Sequence, residues 1–254
     1  AAQYLVKLDP VTVELIDDKM ISLARSIPLF QKTVSDFVSG EPAALLVVEF
    51  AEETDKANFT KIRELKKTMA KLNAHSKKSR YSDAACVVTL EPTADQNRIS
   101  EMRKSGLNIM MSMRSETKPV SFVEDCAVPL EYLAEYTQGL ARIFEKYDTN
   151  GTWYAHASVG CLHVRPLLNM KLGEDAEKMR SIATEAFALV KAYGGSHSGE
   201  HGDGISRSEF NPIMFGKQLT NAFKELKRIL DPDGLFNPGK IIDAPEMNAR
   251  DLFR

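Results

Sequence analysis

GGSHSGEHGDGISRSEF, residues 194–210, is the stretch from which the rest of the chain is read. Its five glycines surround the pair Glu200-His201, so the backbone there can take positive φ and approach a ligand closely. A second stretch, GTWYAHASVGCLHVRP at 151–166, carries His156 and His163. Two imidazoles and a carboxylate, His156, His163 and Glu200, form a set that can bind a first-row divalent metal and leave positions open for substrate. One histidine alone is more often a hydrogen-bonded structural residue. Glu200 strengthens the metal reading, because a carboxylate in a Gly/Ser loop is a poor surface ion pair and a good third ligand.

Adjacent side chains on an extended backbone point to opposite sides, so with Glu200 on the metal His201 is expected to face away from it, as a general base. His197 ranks below it, and His75, among lysines, reads as exposed. Asp203 reads as an Asx turn and helix cap before it reads as a partner for His201. His156 and His163, seven residues apart, would share one face of a helix. The β-favouring WY and LHV segments, with Ser158 and Gly160 between them and Pro166 beyond, favour two short strands around a turn.

Working outward, DPVTVELIDDKMISLARSIPLF (9–30) spaces Val13, Ile16, Met20 and Leu23 helically behind Asp9 and Pro10, which predicts a helix ending near Ser26-Ile27. ALLVVEF (44–50) reads as a buried strand. Residues 54–74 read as an amphipathic helix lying on that sheet, with KKTMAK and HSKKSR as solvated lysine runs. CVVTLE (86–91), LNIMMSM (107–113) and VSFVEDCAVP (120–129) read as strands, and ADQNRISEMRKSG as a short helix. Helices are predicted over 129–148, over 174–193 with Gly194-Gly195 closing it, and near 216–230, stopping at DPDG. The pattern suggests one domain, residues 1–254, with a helical C-terminal appendage at 205–254. Strands alternating with helices suggest a parallel sheet by base rates; an antiparallel one stays open at this point.

The 254 residues are 43% hydrophobic and 27% charged, with a net charge of −2, the profile of an ordinary soluble globular protein. The longest apolar run, AALLVV at 43–48, is far short of the roughly 20 residues a membrane span needs. Acids interleave with the basic residues, so nucleic acid is not an expected partner. Three cysteines, Cys86, Cys126 and Cys161, form no CxxC and no disulfide framework, which fits a reducing cytoplasm. No charged-then-apolar leader opens the chain. The start at AAQYLVKLDP, without Met, reads as weak support for a piece of something longer.

HASVGCLHVRP, GGSHSGEHGDGISR and MFGKQLTNAFKELKRILDPDGLFNPGKII, in that order, resemble the C-terminal substrate (cap) region of FAD-linked oxidases of the vanillyl-alcohol oxidase superfamily. The branch they resemble is that of the D-2-hydroxyacid dehydrogenases. The resemblance implies an α+β fold: an antiparallel sheet flanked by helices, with the helical appendage behind it. It implies FAD held mainly by an N-terminal lobe outside this chain, and a divalent metal, zinc or manganese, on His156, His163 and Glu200. His201 matches the family's catalytic base. Arg103 and Lys118 match cations that grip the substrate carboxylate, and Asn237 in FNPGK is similar to the residue that meets the flavin. SVGCLH stands where many relatives have a GDGNLH-like turn. Arg165 follows as either an extra carboxylate anchor or a structural pair. The HVRP variant resembles long bacterial fusions with an iron–sulfur region, which implies that region as electron acceptor and peripheral association with the inner membrane through such partners.

The implied reaction is oxidation of a D-2-hydroxy acid to the 2-oxo acid. Two rivals share the same residues: a two-His-one-carboxylate oxygenase or hydrolase that needs no flavin, and a metal-stabilised binding or assembly module.

Overall fold

The computed structural model describes residues 1–75 and 87–252. The chain divides into two compact units, Ala1–Arg114 with Trp153–Val159, and Ser115–Thr152 with Gly160–Arg254. Within each unit every strand pairing among the described residues is antiparallel, which sets aside the parallel arrangement suggested by alternating elements.

In the first unit a short helix α1 (Ala2–Leu5) leads to strand β1 (Thr12–Asp17). A helix beginning at Asp9 was the expectation; the structure instead puts Asp9 in the left-handed region, φ 56°, and starts the strand at Thr12. The β-branched residues Thr12, Val13 and Ile16 suit a strand. Their helical spacing with Met20 and Leu23 arises because strand and helix adjoin. Helix α2 (Asp18–Ser26) is capped by Asp17, whose Oδ1 accepts the Met20 N–H at 2.8 Å and whose Oδ2 accepts that of Trp153 at 2.7 Å. Helix α3 (Pro28–Phe37) starts on its proline, and β2 (Ala44–Glu49) pairs with β1 from Thr12↔Glu49 to Asp17↔Ala44. Helix α4 (Asp55–His75) is the expected amphipathic helix, with Leu65 buried and Lys66 and Lys67 exposed.

Helix α5 (Thr93–Lys104) is also as expected, but LNIMMSM forms helix α6 (Gly106–Met111) where a strand was read. Its unbranched Leu and Met residues favour a helix, and Gly106, Ile109 and Met110 bury one face at i, i+3, i+4. Residues 87–91 form no strand; Cys86, the start of CVVTLE, and HSKKSR, including the His75 side chain, lie outside the described residues. From Trp153 onward strand β5 (Gly151–His156) belongs to this unit and pairs with β1 through Glu14↔His156 and Ile16↔Tyr154. The core gathers Ile16, Met20, Phe30, Val34, Met102 and Ile109.

In the second unit VSFVEDCAVP is mostly irregular. It contributes only β4 (Cys126–Ala127), after β3 (Lys118–Pro119), and both pair with β6 (Cys161–Leu168). The strand-turn-strand reading of His156 and His163 holds: β5 ends at His156 and β6 begins at Cys161. Helices α7 (Leu133–Lys146) and α8 (Gly173–Ala192) pack together, and Gly139 lets them approach, since a Cβ there would lie 2.6 Å from Leu189. Phe187 and Phe210 meet edge to face at 4.8 Å in their core. The short helix α9 (Gly204–Arg207) and α10 (Asn211–Leu230), which kinks at Gly216, complete the helical C-terminal part. Among the described residues no helix is long and apolar enough to cross a membrane.

Candidate functional site

The site in the second unit is assembled around a residue whose sequence context does not advertise it. Asp125 is fully buried, with φ at 79°, just before β4. Its N–H donates to Leu162 O at 2.8 Å, tying it to β6, and its carbonyl accepts the Gly199 N–H at 2.7 Å. The carboxylate then accepts three more bonds from the glycine-rich loop: Ser198 Oγ at 2.8 Å, the Glu200 N–H at 2.9 Å and the His201 N–H at 2.8 Å. Burial alone would raise the Asp125 pKa, but these hydrogen bonds to the charged form outweigh it and hold the carboxyl below its ordinary value. Gly199 leaves room for the loop, as a Cβ there would sit 3.1 Å from Cys161 Sγ and 3.3 Å from Asp125 O.

Because both amides turn inward to one carboxylate, the backbone at 200–201 is not extended. The two side chains therefore come out as neighbours rather than on opposite sides, with His201 Nε2 3.9 Å from Glu200 Oε2. On β6, His163 is buried and places Nε2 3.8 Å from Glu200 Oε2, and its ring stacks on His201 at 5.1 Å and 17°. Glu124 holds its Oε1 3.2 Å from His201 Nδ1 and its Oε2 2.5 Å from Arg165 Nη2. Arg165 also donates to Ser121, so this buried guanidinium is held between Ser121 and Glu124. Arg207 ties the same segments together, donating to Glu124 O at 3.0 Å and Gly202 O at 2.5 Å.

Donor atoms of Glu124, His163 and His201 all lie within 4.8 Å of one another, as do those of Asp125, Glu200 and His201. Two ligands on one tetrahedral ion with bonds of about 2.1 Å stand about 3.4 Å apart. The separation of 3.8 Å between His163 Nε2 and Glu200 Oε2 is therefore only a few tenths of an ångström too wide for a shared ion, and the imidazole and carboxylate chemistry suits a first-row divalent cation. A cavity of about 280 Å³ borders the loop, lined by Ser196, Ser198, Glu200, Asp203 and Phe215 among others.

Not every histidine here is chemical. His197 is fully buried, with Nε2 3.2 Å from Asn211 Oδ1 and 3.4 Å from Asp203 Oδ1; burial lowers its pKa despite Asp203. Asp203 thus partners His197, and its side chain makes no cap bond to α9. Cys126 and Cys161 are free and buried, and desolvation pushes both thiols up to about 12.

The first unit holds a second constellation around another missed carboxylate, Glu14. It is buried and lies 2.8 Å through Oε2 from His156 Nδ1, accepts Tyr154 Oη at 2.9 Å and accepts Arg103 Nη1 at 3.2 Å. Arg103 and His156, both singled out in the sequence, are thus gathered by one acid. A carboxylate on Nδ1 favours the tautomer protonated there, so the ring lone pair lies on Nε2. Burial, reinforced by Glu14, raises the Tyr154 phenol to about 12, so it stays a donor.

Lys118 stands half-buried on β3 opposite Leu168 in the second unit. Asn237 is exposed beyond α10, on a left-handed turn with φ 46°. The residues missed in the sequence, Glu14, Glu124 and Asp125, share one readable signal: acids inside otherwise apolar stretches, VTVELID and VSFVEDC.

The model of the family "FAD linked oxidases, C-terminal domain" matches residues 2–241, and the chain belongs to that family. It is 30% identical to D-2-hydroxyglutarate dehydrogenase of Escherichia coli K12 over 98% of this chain and 25% of that protein. It is 25% identical to D-lactate dehydrogenase of Archaeoglobus fulgidus, over 93% of this chain and 46% of that one. The chain therefore spans about a quarter of the D-2-hydroxyglutarate dehydrogenases it matches. Among solved structures, 4-ethylphenol oxidase from Gulosibacter chungangensis shares the fold, with a TM-score of 0.57 and 12% identity over 92% of this chain and 48% of that one.

Proposed function

We propose that the chain is the substrate-facing cap of a flavin-dependent dehydrogenase that oxidises a D-2-hydroxy acid to the 2-oxo acid. The observation that carries this reading is the gathering of His163, Glu200 and His201 around Asp125 and Glu124. The names of the relatives support a small 2-hydroxy acid as the substrate in this reading. The proposed metal ligands are His156, His163 and Glu200, with Arg103 and Lys118 facing the substrate carboxylate and Asn237 facing the flavin. In the bound state the metal supplies Lewis acidity to the substrate hydroxyl, and FAD a two-electron acceptor for the hydride of C2.

What this chain's own residues do follows from their positions. His201 receives the hydroxyl proton on Nε2, because Glu124 lies beside Nδ1 and favours the proton there. Arg165 neutralises Glu124 and fixes it. Asn237, exposed beside Phe236 and Leu235 that are 69% and 72% exposed, suits contact with a lobe outside this chain, to which residues 205–254 would return. An iron–sulfur region as electron acceptor belongs to the same proposal and lies outside this chain.

The test is His201→Ala in the full-length protein, assayed by dye reduction with D-2-hydroxyglutarate, D-lactate, glycolate and malate. Turnover should fall about 10²–10⁴-fold, the usual contribution of a general base, while zinc and manganese content by elemental analysis is unchanged. Undiminished turnover rules out His201 as the base.

A further inference from the structure

We propose that Asp125 is the positioning residue of the site: its carboxylate is the template on which the Glu200-His201 turn folds, and it brings a ligand and a base out side by side. The inference rests on the reading of Glu200 and His201 given above and adds to it a residue that touches neither substrate nor metal in its role.

Three observations carry it. First, Asp125 directs most of its acceptor capacity to one segment, with Cys161 Sγ the further donor to its carboxylate at 3.6 Å. The carboxylate takes the Ser198 hydroxyl and two consecutive amides at 2.8–2.9 Å, and the carbonyl takes Gly199 at 2.7 Å, so residues 198 to 201 all bond to this one amino acid. Second, Asp125 is itself held in a sparsely populated conformation, φ 79°, and is fully buried. Such strain persists only where the surroundings over-determine it, here through Leu162 O and the β4–β6 pairing. Third, the consequence is geometric. Neighbouring side chains on an extended strand diverge, whereas here His201 Nε2 and Glu200 Oε2 are 3.9 Å apart.

Ala127 and Ser196 exchange a pair of backbone hydrogen bonds at 2.8 and 2.9 Å, so the start of the loop is already zipped to β4. Asp125 therefore acts on a loop that is anchored nearby, and its own contribution is the direction of residues 200 and 201 rather than the docking of the loop as a whole. An asparagine of the same size can still accept one amide, but it turns an N–H toward the other donor.

The test compares Asp125→Asn with the parent full-length protein by two measurements. Amide hydrogen exchange over residues 198–202 should speed up at least tenfold in the variant, while exchange in α7 and α8 stays within threefold. With D-2-hydroxyglutarate as the probe substrate, kcat should fall about 10- to 100-fold, the range for a residue that orients a metal or base ligand, with KM within threefold. A general loss of packing would speed exchange throughout and would not single out kcat. Parent-like exchange at 200–201, or accelerated exchange with unchanged kcat, overturns the proposal. The exchange measurement reports on the turn whatever the substrate is, so failure of the dehydrogenase reading is distinguishable from failure of this one. If Asp125→Asn does not fold, Ser198→Ala decides: it removes one bond to the carboxylate, should speed exchange at 200–201 about two- to fivefold and lower kcat with it, and parent-like values in both overturn the template.

Discussion

Replacing Gly160 by Ala tests how tightly the turn before β6 is built. Gly160 has φ +71°, which costs a residue with a Cβ about 1–2 kcal/mol. The new Cβ would also lie 2.1 Å from Val128 O, whereas the nearest comfortable C···O approach is about 3.3 Å, so one segment must retreat by about 1 Å. That retreat breaks the bond from Val128 N–H to Gly160 O, 3.0 Å, at a buried residue, for about another 1–3 kcal/mol. The expected loss is about 2–5 kcal/mol. Gly173 is the control. It opens α8 with nothing within 4 Å of a Cβ and no positive φ, so Gly173→Ala should leave stability unchanged or raise it by about 0.4–1 kcal/mol. Urea denaturation followed by far-ultraviolet circular dichroism measures both. Gly160→Ala within 0.5 kcal/mol of the parent, on the order of a neutral surface change, would refute the reasoning.

Asp17→Ala should cost about 2–4 kcal/mol, since it removes both the α2 cap and the acceptor of the Trp153 N–H bond, with Asp17→Asn in between; equal stability of Ala variant and parent in urea would contradict the double role. For the thiols the sign follows from their pKa, raised from 9.0 to about 12 at Cys126 and Cys161. The unfolded chain releases those protons first, so the stability they contribute is intact below pH 9 and is lost as pH rises toward 12. Melting temperature should therefore fall less steeply with pH above 9 in Cys126→Ala and Cys161→Ala than in the parent, and an unchanged slope would count against it.

Sequence reading recovered the long helices because their periodicity is unambiguous, as at 129–148 and 174–193. It failed where two elements share one pattern. Val13, Ile16, Met20 and Leu23 keep helical spacing across the β1–α2 junction, and one Asp-based start signal, Asp9, masked the working one, Asp17. In LNIMMSM, a short apolar run gave no period to choose by, and the helix preference of Met and Leu decided it. At the site, His163, Glu200 and His201 were legible because imidazole and glycine-rich loops are chemically conspicuous. Glu14, Glu124 and Asp125 were not, since an acid is recognised as a partner only once its strand pairing brings a distant donor to it. The mutual direction of Glu200 and His201 was misjudged for the same reason: the turn is imposed by a side chain 75 residues away.

That separation also sets a timetable. A ribosome adding about 5–20 residues per second makes Asp125 some 4–15 s before Glu200, and over that interval the carboxylate lacks both of the amide donors that later close on it. A nascent chain halted short of the loop would carry, just before β4, a buried-to-be acid still without the segment that covers it.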